Sequence, residues 1–449
     1  MAETKPAAPR RDGDLDWIKG IACIFMLMLH AVVMIGVPNR HVLWTVQFQF
    51  IHQFYAWFFM ASGMNVWRSV SRDMNRDRRR ALTSYMLMTA ALFGLGIVYS
   101  MNRRMLGQME LFQGVAACTA ISYLILRRNW PNWSLIVVSV LLFGATANWS
   151  YFYYDMLPAG KIDALIPQLF DAQTWHDYPL VINAKALQAS FANAELRPLV
   201  VDRLHRLFNL LVIHEYPYWK RFLFVHFSLL PWVAWFLLGG VLMRLAGSRH
   251  EKWLYLLFGG FLAASFYAPW YVPRIQMDFY FRGKIDFLFW SSGIAGISIL
   301  LTRRFYKGRL KINKAIEFIG RESFMIFILQ WIFVDFVCLP LSLFGGRTGA
   351  ATWKVFPLAQ IGTVLVTFYL ARFFAQRRDA NILKPSYFRF WGIFTLIFGV
   401  VVSATYWSRP ILSWFLSYPL IIGVGMLFPA VRLLIRQVMM PKKKQPEGC

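Results

Sequence analysis

The sequence predicts an all-α protein, a polytopic integral membrane bundle of about twelve transmembrane helices. Two observations carry this expectation. Apolar runs of bilayer-crossing length recur along the whole chain of 449 residues, which is 58% hydrophobic with a mean hydropathy of +0.45 and 41 Phe. No soluble core needs so much apolar material. The cations, meanwhile, fall mainly in short loops on alternate sides of those runs, as the positive-inside rule requires.

The elements follow in order. A polar tail (1–16) precedes the first run, 17–37. No small-residue cleavage site follows that run, so it reads as a retained helix rather than a signal peptide. Runs at 44–66, 82–101, 109–126 and 133–154 come next. A mixed segment at about 155–220 carries Asp155, Asp163, Asp171, Asp177, Glu195 and Asp202 among aromatics. Within it, Val200 to Phe208 reads as an interfacial amphipathic helix. Runs at 221–243, 253–272 and 285–302 lead to a long ninth run, 316–344, where Pro340 predicts a kink or break. Runs at 352–371, 389–406 and 410–435 and a basic tail, 441–449, complete the chain.

A net charge of +26 invites a nucleic-acid reading, but the placement of the cations argues against it. Roughly 30 of the 48 Lys and Arg lie on one side of the predicted spans, the excess that marks a cytoplasmic face. Both termini are therefore expected in the cytoplasm, and a bacterial inner membrane is the expected location. Part of the excess also suits anionic lipid or a polyphosphate ligand. Of the four cysteines, Cys23, Cys118 and Cys338 lie in apolar runs and Cys449 is the last residue. That spacing implies neither a disulfide framework nor a metal site. There is no GxxxxGK[ST], HExxH or CxxC motif, so nucleotide-driven transport and zinc chemistry have no signature.

Lys19 and His30 are the residues most able to carry chemistry. On a helix their spacing corresponds to about three turns, which puts both on one face about 16 Å apart. An ionisable group inside a bilayer marks a functional site by default. In the second run, His52 falls at a depth similar to His30, with Gln49 one turn away on its own face. Its plainer reading is a hydrogen-bonded packing residue. The loop after that run holds six arginines from Arg68 to Arg80. Its plainer reading is a topology anchor; its guanidinium forks also suit phosphate. Glu110, Gln113, Asn148, Asp286, Gln330 and Asp335 are polar groups near the outer ends of runs. They either line an acceptor pocket or hydrogen-bond between helices. Outer aromatics such as Trp149, Tyr151, Trp270 and Trp407 read as interfacial belt residues.

With those residues in view, the chain resembles the superfamily of transmembrane acyltransferases. That superfamily comprises the acyltransferase-three family of surface-sugar O-acyltransferases and the relatives of heparan-α-glucosaminide N-acetyltransferase. The opening LDWIKGIACIFMLMLHA is similar to the superfamily's first helix, with Asp16, Lys19, Gly20 and His30 at the matching positions. FFMASGM resembles the end of the second helix, and Arg76 and Arg79 match the Arg-x-x-Arg element after it. FSLLPWVAWFLLGGVLMR (Phe227 to Arg244) and IEFIGRESFMIFILQW (Ile316 to Trp331) resemble later segments. Lys19 replaces a more usual Arg, and Gln330 stands where many relatives have His. The resemblance implies an acyltransferase-like core over 17–335 with further transmembrane helices over 336–440. It implies transfer of an acyl group, commonly acetyl, from cytoplasmic acyl-CoA to a carbohydrate or glycolipid acceptor at the outer face. His30 would be catalytic, as a general base or as a covalent acyl carrier. Lys19, Arg76 and Arg79 would hold the CoA phosphates. His52, Gln49, Glu110 and Asp286 are the candidates for an acceptor or supporting pocket. Acyl-CoA enters as a co-substrate, with no bound cofactor and no metal. The expected partners are acyl-CoA, the acceptor and membrane lipid, without nucleic acid; a homodimer is compatible with the reading. Two other classes compete: a transporter or flippase for a lipid-linked sugar or small anion, and a structural subunit that scaffolds an envelope complex.

Overall fold

The computed structural model describes residues 13–35, 54–74, 77–102, 111–154, 229–267, 285–306, 308, 310–338, 349–382, 384–405 and 410–439. Among these residues every regular element is helical. The helices are α1 (Gly13–Ile35), α2 (Phe54–Asp73), α3 (Arg78–Asn102), α4 (Leu111–Arg127) and α5 (Asn132–Tyr154). They continue with α6 (Leu229–Leu245), α7 (Glu251–Tyr267), α8 (Ile285–Phe305), α9 (Lys311–Arg321) and α10 (Ser323–Phe333). A π-helical turn (Val334–Cys338) extends α10 and is followed by α11 (Gly349–Asn381), α12 (Pro385–Thr405) and α13 (Pro410–Met439).

Among the described residues, four segments are long and apolar enough to cross a membrane by length and composition: Arg78–Tyr99, Pro357–Asn381, Pro385–Thr405 and Phe415–Met439. The surface agrees with a membrane protein. On α12, Phe390, Ile393, Leu396, Ile397 and Val400 are all exposed. Their three- and four-residue spacing makes one apolar stripe that water would not tolerate at this size. On α11, Leu358, Ile361, Leu365, Tyr369 and Phe373 do the same.

Local chemistry sets the element ends. Asp77 caps α3, its carboxylate accepting from the backbone N–H of Arg79 at 3.0 Å and of Arg80 at 3.3 Å. Asn129 takes a φ of 53°, a left-handed turn between α4 and α5 that Asn tolerates better than most residues. Proline opens both α12 and α13, where its missing N–H has no helical partner to lose.

Helix packing depends on glycine where backbones nearly touch. A Cβ on Gly20 would fall 2.0 Å from the Ile316 carbonyl oxygen, and one on Gly320 would fall 1.7 Å from that of Asp16. α1 and α9 thus cross backbone to backbone. α2 and α6 repeat the device: a Cβ on Gly63 would meet the Phe236 carbonyl oxygen at 2.0 Å, and one on Gly239 that of Met60 at 2.0 Å. Association by small residues is the usual solution where lipid removes the hydrophobic incentive to pack. The larger core unites α1 to α8 with α10 and α13 around Phe59, Trp235, Phe236 and Phe258. A second cluster joins α1, α9 and α10 to α11, α12 and α13.

The ninth predicted run differs from expectation. The structure breaks it at Arg321–Glu322, well before Pro340, which lies outside the described residues. Upstream of the break, α9 is strongly amphipathic, with Leu310, Ile312, Lys311 and Lys314 exposed and Ile319 and Gly320 buried against α1. Glu322 leaves helical geometry at ψ 18°. Its buried carboxylate receives both guanidinium nitrogens of Arg378, at 2.8 and 3.0 Å. A bidentate ion pair of this kind fixes direction as well as distance. Arg378 itself was expected in a loop after 371; α11 instead stays helical through Asn381 and carries it to Glu322.

Candidate functional site

α1 places the leading candidates. Asp16, Lys19 and Gly20 occupy its first turns and His30 lies near its far end. Lys19 Nζ lies 3.7 Å from the Asp16 carboxylate, and both side chains are largely buried. The expected cation at the end of the helix is therefore present, held by the acid that precedes it. Trp17 is fixed to α9 by donating to the Asn313 side-chain oxygen at 3.2 Å.

His30 meets a residue that local sequence could not pair with it. Its Nδ1 lies 2.8 Å from Gln330 Oε1. Gln330 is fully buried, and its Nε2 donates to the Phe327 carbonyl at 3.0 Å. That donor bond sets the orientation of the amide, because only the NH2 group can donate to a carbonyl. Oε1 therefore faces the imidazole as an acceptor, Nδ1 carries the proton, and the ring lone pair is on Nε2. Trp331 packs on the same ring with centroids 4.6 Å apart. In this tautomer the Nε2 lone pair can take a proton from a hydroxyl or amine.

Further polar groups gather along α10 and its π turn. Asp335 is buried and accepts a hydrogen bond from the Tyr418 phenol of α13. Gln360 of α11 donates to the carbonyl of Met28, two residues before His30, at 3.5 Å. π-helical turns occur often at functional sites because they re-aim side chains. Of the two roles open to Gln330 and Asp335 in the sequence, the structure shows the hydrogen bond between helices for both, to His30 and to Tyr418.

The remaining candidates are distributed as follows. Arg79 is exposed at the start of α3. Gln49, His52, Arg76 and Glu110 lie outside the described residues, as does the side chain of Asp286 in α8. Among the described residues no group of three or more His, Cys, Asp and Glu is placed to ligate a metal.

One end of the bundle gathers the basic segments. Arg303 of α8 pairs with Asp14 of α1 at 3.4 Å. Arg244 of α6 lies 4.0 Å over the Trp67 ring of α2 and donates to the carbonyls of Trp130 and Leu126 at 2.6 and 3.2 Å. Arg127 of α4 donates to the Arg78 carbonyl at 2.9 Å and to the Tyr123 phenol at 3.2 Å. Tyr123 in turn donates to Asp73 at 3.0 Å. Burial, then the neighbouring Arg303 and Arg72, push the Arg68 guanidinium below its usual range. A cavity of about 770 Å3 opens at this end between the start of α1, α9 and α11. Asp16 lines it; neither Lys19 nor Arg79 does.

The signal for the His30 partner lay in the polar residue that interrupts IEFIGRESFMIFILQW, though only folding could pair the two. No protein-family model, curated protein or solved structure matches this chain.

Proposed function

We propose that the protein is a membrane acyltransferase that moves an acyl group, acetyl first among them, from cytoplasmic acyl-CoA to a carbohydrate or glycolipid acceptor at the outer face. The observation that carries this reading is the His30–Gln330 pair, an imidazole with its basic nitrogen defined, set inside a helical bundle. The short motifs around Lys19, His30 and Ser323 support it as resemblances.

In this reaction the acceptor hydroxyl or amine attacks the thioester carbon and its proton passes to His30 Nε2. The C–S bond breaks as the new ester or amide bond forms, and the proton is returned to the CoA thiolate. His30 acts as general base and then as general acid. Lys19, Arg76 and Arg79 are the proposed holders of CoA phosphates; Lys19 lies about 16 Å from His30 along α1. His52, Gln49, Glu110 and Asp286 remain the proposed acceptor-side residues. Twelve spans with both termini in the cytoplasm belong to the same proposal.

The test is acetyl-CoA binding and CoA thiol release by the purified protein in lipid nanodiscs, wild type against His30→Ala, with added acceptor extracts. Binding by both proteins, with thiol release from wild type alone, is the expected result. Equal release by both removes His30 from the chemistry. No binding of acetyl-CoA or longer acyl-CoAs by folded protein moves the reading to a transporter or flippase.

A further inference from the structure

The cavity beside the start of α1 has a composition that none of the proposed acyl-transfer residues explains. Lys311 and Lys314 of α9, Arg321 at its end and Arg372 of α11 all line it. Along α9, Lys311, Lys314, Ala315 and Phe318 are spaced three or four apart, so one helix face supplies them. Along α11, Phe368, Arg372 and Gln376 are spaced four apart and do the same.

Two carboxylates also line the cavity, Asp16 and Glu317, and both are engaged. Asp16 holds Lys19. Glu317 accepts from the Tyr306 phenol, which burial and that bond keep protonated well above the usual tyrosine range. Arg321 leans on Glu322 at 3.3 Å, yet Glu322 is already taken bidentately by Arg378. Lys311, Lys314 and Arg372 have no ion-pair partner among the described residues. The cavity therefore has four cations facing two satisfied acids.

Its floor is apolar. Phe318 and Phe368 meet edge to face with centroids 5.5 Å apart. Beside Arg372, Tyr369 and Phe373 expose apolar surface along α11. Cations over an aromatic floor at the edge of an apolar surface suit a phosphate ester with an apolar body.

We propose that this cavity is a binding site for a phosphate ester, held by Lys311, Lys314, Arg321 and Arg372 and seated on Phe318 and Phe368. Two sources share that chemistry. A glycerophospholipid would place its headgroup among the cations and its chains along α11. Coenzyme A would place its nucleotide phosphates there, in which case these cations replace Lys19, Arg76 and Arg79 as their holders. The site stands whether or not His30 transfers an acyl group.

The experiment uses the full chain in two arms. In phosphatidylcholine nanodiscs, CoA is titrated at low and at high salt. In mixed micelles without CoA, retention of phosphatidylglycerol against phosphatidylcholine is read by native mass spectrometry. Each arm compares wild type with Lys314→Gln/Arg372→Gln, both exposed positions, and with the control Lys384→Gln, an exposed cation outside the cavity. The double variant is expected to lose about tenfold in affinity in at least one arm, the scale of two partly exposed charge contacts. The wild-type affinity should fall with salt. Loss confined to the CoA arm assigns the site to nucleotide phosphates. Loss confined to the phosphatidylglycerol arm assigns it to lipid, and loss in both assigns it to the shared group. Absence of binding in both arms, no change in either, or an equal loss in the Lys384→Gln control overturns the proposal. Because His30→Ala leaves the cavity intact, failure of acyl transfer and failure of this site give different results.

Discussion

His30 and Gln330 are separated by 300 residues of chain, and the amide orients the imidazole rather than merely packing beside it. Gln330 is in this sense a positioning residue. Gln330→Leu keeps a comparable volume but removes the acceptor, so Nδ1 and Nε2 compete for the proton. On the acyl-transfer reading, CoA thiol release should fall about 10²-fold while CoA affinity stays unchanged, since general-base contributions are of that order. Gln330→Glu should instead retain activity and move the acid limb of the pH–rate profile upward. A carboxylate beside His30 favours the imidazolium, so a higher pH is needed to free the base. Unchanged rates and profile in both variants would leave Gln330 with a packing role only. Glu322 and Arg378 make the second residue-scale case. Arg378→Met leaves the buried Glu322 carboxylate with only its contact to the more exposed Arg321 and should destabilise the protein by about 3 kcal/mol, whereas Glu322→Leu/Arg378→Met should recover most of that loss. Thermal unfolding in detergent would decide it: a double variant as unstable as the single would mean that the pair does not act as a unit.

At the scale of elements, α1 and α9 are the decisive contact. Gly20 and Gly320 let their backbones cross at a distance no Cβ permits. Gly320→Ala must push the Asp16 backbone away and should cost about 1–3 kcal/mol, the range for forced overpacking. Gly94→Ala in α3 meets nothing within 4 Å and should be neutral or stabilising by about 0.5–1 kcal/mol through helix propensity alone. Equal melting temperatures for the two variants would show that the α1–α9 crossing is looser than described. The crossing also shapes both candidate sites. It holds the first turns of α1 beside the cationic face of α9, and it directs α10, beyond the break at Glu322, towards His30. Sequence periodicity could not anticipate that break, because 316–344 is apolar enough to read as one run. At the break, Glu322 meets Arg378, which α11 delivers from 56 residues away.

At the scale of the whole molecule, basic segments around Arg68, Arg127, Arg244 and Arg303 meet at one end of the bundle. Ion pairs and carbonyl contacts such as Arg303–Asp14 and Arg127–Arg78 hold them together. A topology with this end in the cytoplasm predicts a labelling pattern. In a Cys449→Ser background, Ser71→Cys and Ser386→Cys, both exposed at the basic end, should react with a membrane-impermeant thiol reagent only after cells are permeabilised. Thr405→Cys, at the opposite end of α12, should react in intact cells. The native Cys23, Cys118 and Cys338 are buried and should contribute little background. The reverse pattern would invert the orientation.

The helical class, the membrane environment and the alternation of basic loops were legible in the chain, because each depends on a property that sums along the sequence. Apolar length sets whether a helix can cross a bilayer, and loop charge depends on local composition. The pairing of Lys19 with Asp16 was likewise within reach, since i, i+3 neighbours on a helix meet without help from the rest of the fold. Tertiary structure alone decided the tautomer of His30, the break at Glu322, the helical extension that carries Arg378 and the gathering of four cations around one cavity. Each of these joins residues hundreds of positions apart or on separate helices. Their chemistry depends on which backbones approach closely enough to touch, and that depends on packing at Gly20, Gly320 and their neighbours rather than on local pattern.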